Sequence, residues 1–120
     1  MTVTLQAVRA LVRQWQPLLR LRDWRVTVEM STCADLGDAY ADCDANAHTR
    51  RADIRVASDC PSRLLEEKVV HELLHCHTAA LPAHSAEAQR VAEEQLIDTV
   101  AYLLAKWRPA AKPRTPKGTE

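Results

Sequence analysis

The stretch Val69–His75 constrains this chain more than any other, because it places two imidazoles and a carboxylate close together in the pattern HExxH. In an α-helix, residues four apart lie one turn above each other, so His71 and His75 can both direct a ring nitrogen at one zinc ion. Glu72 lies about 100° around the helix from His71, near the metal but outside its ligand set. The opposite face carries four residues suited to burial: Leu65, Val69, Leu73 and Cys76. The alternative interpretation is an ordinary amphipathic helix with two solvated histidines.

A zinc site of this kind needs a third protein ligand. The downstream candidates are His77, His84, Glu87, Glu93 and Glu94. The helix predicted over 86–106 has an apolar side made of Leu96, Ile97, Val100, Leu103 and Leu104. At 100° per residue Glu93 falls near the middle of that side, whereas Glu94 falls on the polar side. A carboxylate directed into a core is costly unless a cation compensates it, so Glu93 is the predicted third ligand and Glu94 the alternative.

The chain resembles zincin-like HExxH zinc metallopeptidases of the gluzincin type, in which a Glu on the next helix completes the site. It is similar in layout to small metallopeptidases inferred in phages and prophages, and more distantly to SprT-like and ImmA-like zincins. Four segments carry the resemblance: 24–28, 52–56, 70–75 and 93–97. The resemblance implies hydrolysis of peptide bonds in a peptide or protein substrate, with Zn²⁺ as cofactor and Glu72 as general base. The residue that stabilises the oxyanion stays open between Tyr40 and His84.

The alternation of polar and apolar residues predicts an α+β fold, and the resemblance implies that it has a zincin-like minimal core. An N-terminal helix over 4–21, interrupted near Trp15 by Pro17, precedes three strands over 24–30, 40–44 and 52–57. Short connections favour a mainly antiparallel sheet. Ser62 is the predicted N-cap of the HExxH helix, and Ser85 that of the C-terminal helix. We expect one domain over 1–107 and a disordered basic tail over 108–120, which is rich in Pro and Lys.

The amino-acid composition and the charge distribution limit the cellular compartment and the binding partners that we expect for this chain. The formal net charge is zero, although both ends of the chain are basic and the middle is acidic, so nucleic-acid binding is only weakly supported. No apolar run approaches the length of a membrane span and no signal peptide is recognisable, so we expect a cytoplasmic protein without a membrane partner. The four cysteines at 33, 43, 60 and 76 match no zinc or iron–sulfur spacing and are expected to be reduced thiols.

Two other functional classes remain open at this point. In the first, the same ligands stabilise a small binding or regulatory module without turnover. Glu72 argues against this class, since a purely structural site does not need it. In the second, suggested by the SprT-like resemblance, the basic ends hold DNA while the site cuts bound protein.

Overall fold

The computed structural model describes residues 2–79 and 87–107, without the side chains of residues 87–89 and 92. Its elements are α1 (Leu5–Leu18), β1 (Arg25–Ser31), β2 (Ala41–Asn46), β3 (Arg51–Ala57), α2 (Ser62–Thr78) and α3 (Glu87–Trp107). The α+β class is confirmed. The predicted tail over 108–120 and the proposed cap Ser85 lie outside the described residues.

The sheet is mixed, so the prediction of a mainly antiparallel sheet is wrong for one of its two pairings. The strand order is β1-β3-β2, with β1 parallel to β3 and β2 antiparallel to it. β3 takes the centre because its inward side chains, Ala52, Ile54 and Val56, are fully buried. Ser31 pairs with Ala57 and Ala41 pairs with Val56, so the connection from β1 to β2 only has to cross the end of β3.

Two turns reverse the direction of the chain between consecutive strands. The connection between β1 and β2 bends at Gly37 and Asp38, which have φ values of 66° and 71°. Between β2 and β3, Arg50 has a φ of 55° in a tight turn that returns the chain antiparallel. Backbone in the left-handed region lets the chain reverse direction within a few residues.

Helix α1 runs without a break to Leu18, so the predicted interruption near Trp15 is wrong. The Thr4 side chain caps it by accepting a hydrogen bond from the Ala7 backbone N–H at 3.1 Å. Pro17 lies in the last turn, where carbonyls are satisfied by the residues that follow: Leu19 donates to the carbonyl of Trp15 and Leu21 to that of Gln16. Pro17 has no N–H to donate to the carbonyl of Arg13, and the helix ends one residue later.

Helix α2 buries the face that its sequence predicted. Leu65, Val69, Leu73 and Cys76 all lie in the core, together with Val70. Ser62 is the first helical residue rather than the N-cap, which is Pro61, and no side chain caps this end. Trp15 of α1 is 1% exposed and its indole N–H donates to Glu66 Oε2 of α2 at 2.7 Å, so the two helices are joined by a polar contact at the core boundary.

Helix α3 is rotated from its predicted orientation. Ile97 and Ala101 are buried, but Leu96 and Leu103 are 64% and 57% exposed although both were expected to face the core. The buried side is thus centred near Ile97 and Ala101. None of the helices that the structure describes is long and apolar enough to cross a membrane.

Candidate metal centre

The two histidines of the HExxH motif lie side by side on α2. Their ring centroids are 5.2 Å apart, and their side chains are 14% (His71) and 23% (His75) exposed. Both line a cavity of about 600 Å³, together with Glu72, Lys68 and the segment 38–43 that leads into β2. Helical spacing alone accounts for the pairing, since residues one turn apart share a face.

Within the described part of the chain, Glu72 is the only buried charged residue. One ligand atom from each of His71, Glu72 and His75 can be chosen so that all lie within 4.8 Å of one another. Burial raises the pKa of Glu72 to about 8, with the charges of Glu94 and Asp42 adding to the effect and Lys68 opposing it. A carboxyl group with a pKa near neutrality is suited to taking up and releasing a proton.

The carboxylate nearest to both imidazoles belongs to Glu94 of α3. Its Oε1 lies 3.2 Å from His71 Nε2 and its Oε2 lies 3.2 Å from His75 Nε2. One turn further along, Asp98 Oδ1 lies 3.3 Å from His71 Nδ1. Two carboxylates spaced four residues apart on α3 therefore meet two imidazoles spaced four residues apart on α2.

The helix orientation that favoured Glu93 is therefore wrong, because the exposed Leu96 and Leu103 shifted the centre of the apolar side. Glu94 lines the cavity shared by His71 and His75, whereas Glu93 lines a neighbouring cavity with His75, Arg90 and Val91. Which carboxylate binds a metal stays a prediction, and the geometry favours Glu94.

Two separations, each from a different oxygen of Glu94, are close to those between the ligands of one zinc ion. Ligand atoms at about 2.0–2.1 Å from a tetrahedral zinc lie about 3.3 Å from each other. The separation between the Glu94 oxygens and the two Nε2 atoms, 3.2 Å in each case, is close to this value. Burial lowers the pKa of His75, which favours the neutral imidazole that a metal requires.

Acidic side chains and an unsatisfied nitrogen also fit a cation. Two carboxylates, Glu72 and Glu94, approach the histidine pair, with Lys68 as the one Lys or Arg among the residues that line the cavity. His71 Nδ1 is buried and makes no hydrogen bond within the described residues, although Asp98 lies within ion-pair distance of it. A small adjustment of the Asp98 side chain would let it accept the Nδ1–H and leave Nε2 free for a metal.

Several candidates from the sequence lie away from this centre. His77 points elsewhere, with its Nε2 2.6 Å from the Leu19 carbonyl. His84 lies outside the described residues, as does the side chain of Glu87. Tyr40 lines the cavity and remains available as an oxyanion donor.

Asp98 and Lys68 were not among the candidates from the sequence. The signal for Asp98 was its spacing of four from Glu94, which repeats the spacing of the two histidines. Lys68 lies one turn before Glu72 on α2 and lines the cavity.

Two thiols near the site, Cys43 of β2 and Cys76 of α2, shift each other's pKa. The interaction with Cys76 and burial raise the pKa of Cys43, whereas the interaction with Cys43 lowers the pKa of Cys76.

No family model matches this sequence, and neither a curated protein nor a solved structure gives a significant match.

Proposed function

We propose that this chain is a zinc-dependent metallopeptidase with a zincin-like core, in which His71, His75 and Glu94 hold the metal and Glu72 is the general base. The observation that carries the proposal is the approach of both Glu94 oxygens to the two Nε2 atoms, 3.2 Å in each case, beside a buried carboxyl group. A site that only stabilised the fold would not need this buried carboxyl group. Burying a carboxyl group costs free energy, so its presence favours a chemical role.

In this proposal each residue of the site has its own role. Zinc, when bound, activates a water molecule and polarises the scissile carbonyl. Glu72 takes the proton from the water and passes it to the leaving amine. Asp98 orients the His71 ring through Nδ1. The cavity beside β2 offers room for a peptide, and Tyr40 at its wall can donate a hydrogen bond to the developing oxyanion.

The test compares the wild type with Glu72→Gln on a peptide library or an unfolded protein, with cleavage read by mass spectrometry. Glu72→Gln should keep its zinc and lose about 10²–10⁴-fold in rate, because the amide cannot accept the proton. Glu67→Gln is the matched control, since it makes the same substitution on the same helix outside the cavity lining. Equal cleavage by wild type and Glu72→Gln would contradict the mechanism.

Metal analysis separates the peptidase from the zinc-stabilised module. Both functions require about one zinc per chain, lost in His71→Ala and His75→Ala. A full complement of zinc in these two variants would rule out the site itself. Retained zinc with no cleavage by the wild type across a broad library would instead favour the module.

A further inference from the structure

Six exposed arginines lie on one surface of the molecule, away from the candidate metal centre. They belong to three segments that are neighbours in the fold: α1, the connection from α1 into β1, and the start of β3. We call this set the arginine patch, and it consists of Arg9, Arg13, Arg22, Arg25, Arg50 and Arg51. None of these residues has a role in the mechanism proposed above.

Strand pairing brings three of the arginines together at one end of the sheet. Arg25 pairs with Arg51 in the parallel register of β1 and β3, and the Arg25 backbone N–H donates to the Arg50 carbonyl at 2.8 Å. Adjacent strands are about 4.8 Å apart, so the two exposed guanidinium groups of the pair leave the sheet side by side. Like charges on neighbouring strands destabilise a sheet, and an anion that binds both would remove this repulsion.

Helix α1 extends the patch beyond the edge of the sheet. Arg9 and Arg13, one turn apart, line a groove of about 290 Å³ between α1 and residues 26–28 of β1. The Gln16 side chain lines the same groove and donates to the Trp24 carbonyl at 2.7 Å. Since Trp24 precedes Arg25 in the chain, the groove opens next to the arginines of the sheet, and the patch is continuous from α1 to β3.

Carboxylates neutralise little of this charge. Arg50 forms an ion pair with Asp23. The side chains of the other five arginines form no ion pair or hydrogen bond with any residue that the structure describes. The patch therefore has six positive charges against the one negative charge of Asp23. On the sheet it ends at the next row of exposed side chains, where Asp44 pairs with Asp53.

The length of the sheet separates the patch from the candidate metal centre. Arg51 and Ala57 are at opposite ends of β3, and six residues of strand span about 20 Å. The cavity lies at the second end, because Ala41, which lines it, pairs with Val56. This distance exceeds the Debye length of about 8 Å at physiological salt, so the acidic side chains of the cavity hardly weaken the field of the patch. The zero net charge of the chain thus conceals a strongly basic end.

We propose that the arginine patch binds the phosphate backbone of nucleic acid without sequence preference. Guanidinium groups bind phosphates in a bidentate geometry. A nucleic-acid backbone repeats its charge regularly, so arginines spread over three elements can contact several phosphates at once. Trp24, between Arg22 and Arg25, is partly buried against the core, so the patch offers no fully exposed ring on which a base could stack. Contacts to phosphates position a nucleic acid without reading its sequence.

The experiment titrates a fluorescently labelled DNA duplex of two helical turns with the full-length protein and measures anisotropy at several salt concentrations. Two duplexes of unrelated sequence should bind with equal affinity. The logarithm of the binding constant should fall linearly with the logarithm of the salt concentration, with a slope of about −0.9 for each phosphate contacted. Four contacts would give a slope of about −3.6.

Variants assign the binding to the patch. Arg25→Gln combined with Arg51→Gln should weaken binding about 10-fold or more and make the slope less steep by about 2, because two phosphate contacts are lost. Arg13→Gln, on α1, should change the slope by about 1. The matched control combines Arg63→Gln with Lys106→Gln, which removes the same charge from α2 and α3 and should leave the affinity nearly unchanged. Melting temperatures measured in parallel verify that all variants are folded.

Three results would each overturn the proposal. The first is an equal loss of affinity in the double patch variant and the double control variant, since this would reflect net charge alone. The second is unchanged binding in the double patch variant, which would place the contacts elsewhere in the chain. The third is displacement of the DNA by polyglutamate at the same concentration of charge, which would assign the patch to acidic polypeptides. The measurement involves neither zinc nor cleavage, so its outcome does not depend on the proposed function.

Discussion

At the scale of single residues, the candidate site depends on ion pairs that contribute little by themselves. Glu94 and Asp98 are 56% and 58% exposed, so their contacts with the two imidazoles are screened by water and worth at most about 1 kcal/mol each. A zinc ion would change this, because it replaces weak charge pairing with direct ligand bonds. Metal affinity would then depend on the carboxylate of Glu94, although this side chain is exposed.

We expect Glu94→Ala to lose zinc, whereas Glu93→Ala should keep most of it. The reason is that Glu94, not Glu93, approaches both Nε2 atoms. Zinc content after dialysis against a weak chelator measures the difference, and the two neighbouring substitutions remove the same charge and volume. The opposite ranking would restore Glu93 as the ligand.

Asp98→Ala should weaken zinc binding by about 10- to 100-fold without abolishing it, because Asp98 contacts His71 on the nitrogen turned away from the metal. Competition with a chromophoric chelator gives the affinity. Asp53→Ala, on the exposed face of β3, is a control for the loss of one carboxylate. An unchanged affinity in Asp98→Ala would mean that the His71 ring is oriented by other contacts.

At the scale of elements, the sequence predicted α2 correctly and misjudged α3, for a physical reason. The four α2 residues that were expected to be buried form one stripe, so its histidines could be assigned to the opposite face. The apolar residues of α3 cover a wider arc, because they include the exposed Leu96 and Leu103. A helical wheel centred on all of them therefore misplaces the buried side of the helix. Surface leucines are common, and nothing local distinguishes them from core leucines.

The orientation of α3 can be tested by stability. Ile97→Ala should destabilise the fold by about 2–4 kcal/mol, because Ile97 is 5% exposed and its loss leaves a cavity. Leu96→Ala, at its exposed neighbour, should change stability by no more than about 0.5 kcal/mol. Urea denaturation followed by circular dichroism compares the two variants, and equal losses would contradict the orientation.

The sheet illustrates a second limit of local patterns. Alternation located all three strands to within a few residues, but it carries no information on their order. The order followed from burial, since the strand with the most deeply buried inward side chains takes the centre. The short connections between the strands had favoured an antiparallel sheet in which consecutive strands are neighbours.

At the scale of the whole molecule, the proposed metal would join α2 to α3. These helices already pack together, and Glu94 of α3 contacts both histidines of α2. A ligand that binds only the folded state stabilises it, by about 4 kcal/mol when present at 1,000 times its dissociation constant.

Removal of zinc with a chelator should therefore lower the melting temperature markedly, and added zinc should restore it. His71→Ala provides the control, because its melting temperature should not respond to chelator. Differential scanning calorimetry at fixed protein concentration gives both values. A wild-type melting temperature that is insensitive to chelator would contradict a metal held between α2 and α3.

The mixed order of the sheet also has a consequence for how the chain folds. The antiparallel pair β2 and β3 joins residues at most 15 positions apart (41 and 56), whereas the parallel pair β1 and β3 joins residues 26 apart (25 and 51). Closing the longer loop costs more conformational entropy. We expect the β2–β3 hairpin and α2 to form a nucleus that already contains both histidines, with β1 and α1 docking after the rate-limiting step. Substitutions in β1 should accordingly accelerate unfolding and leave the folding rate nearly unchanged.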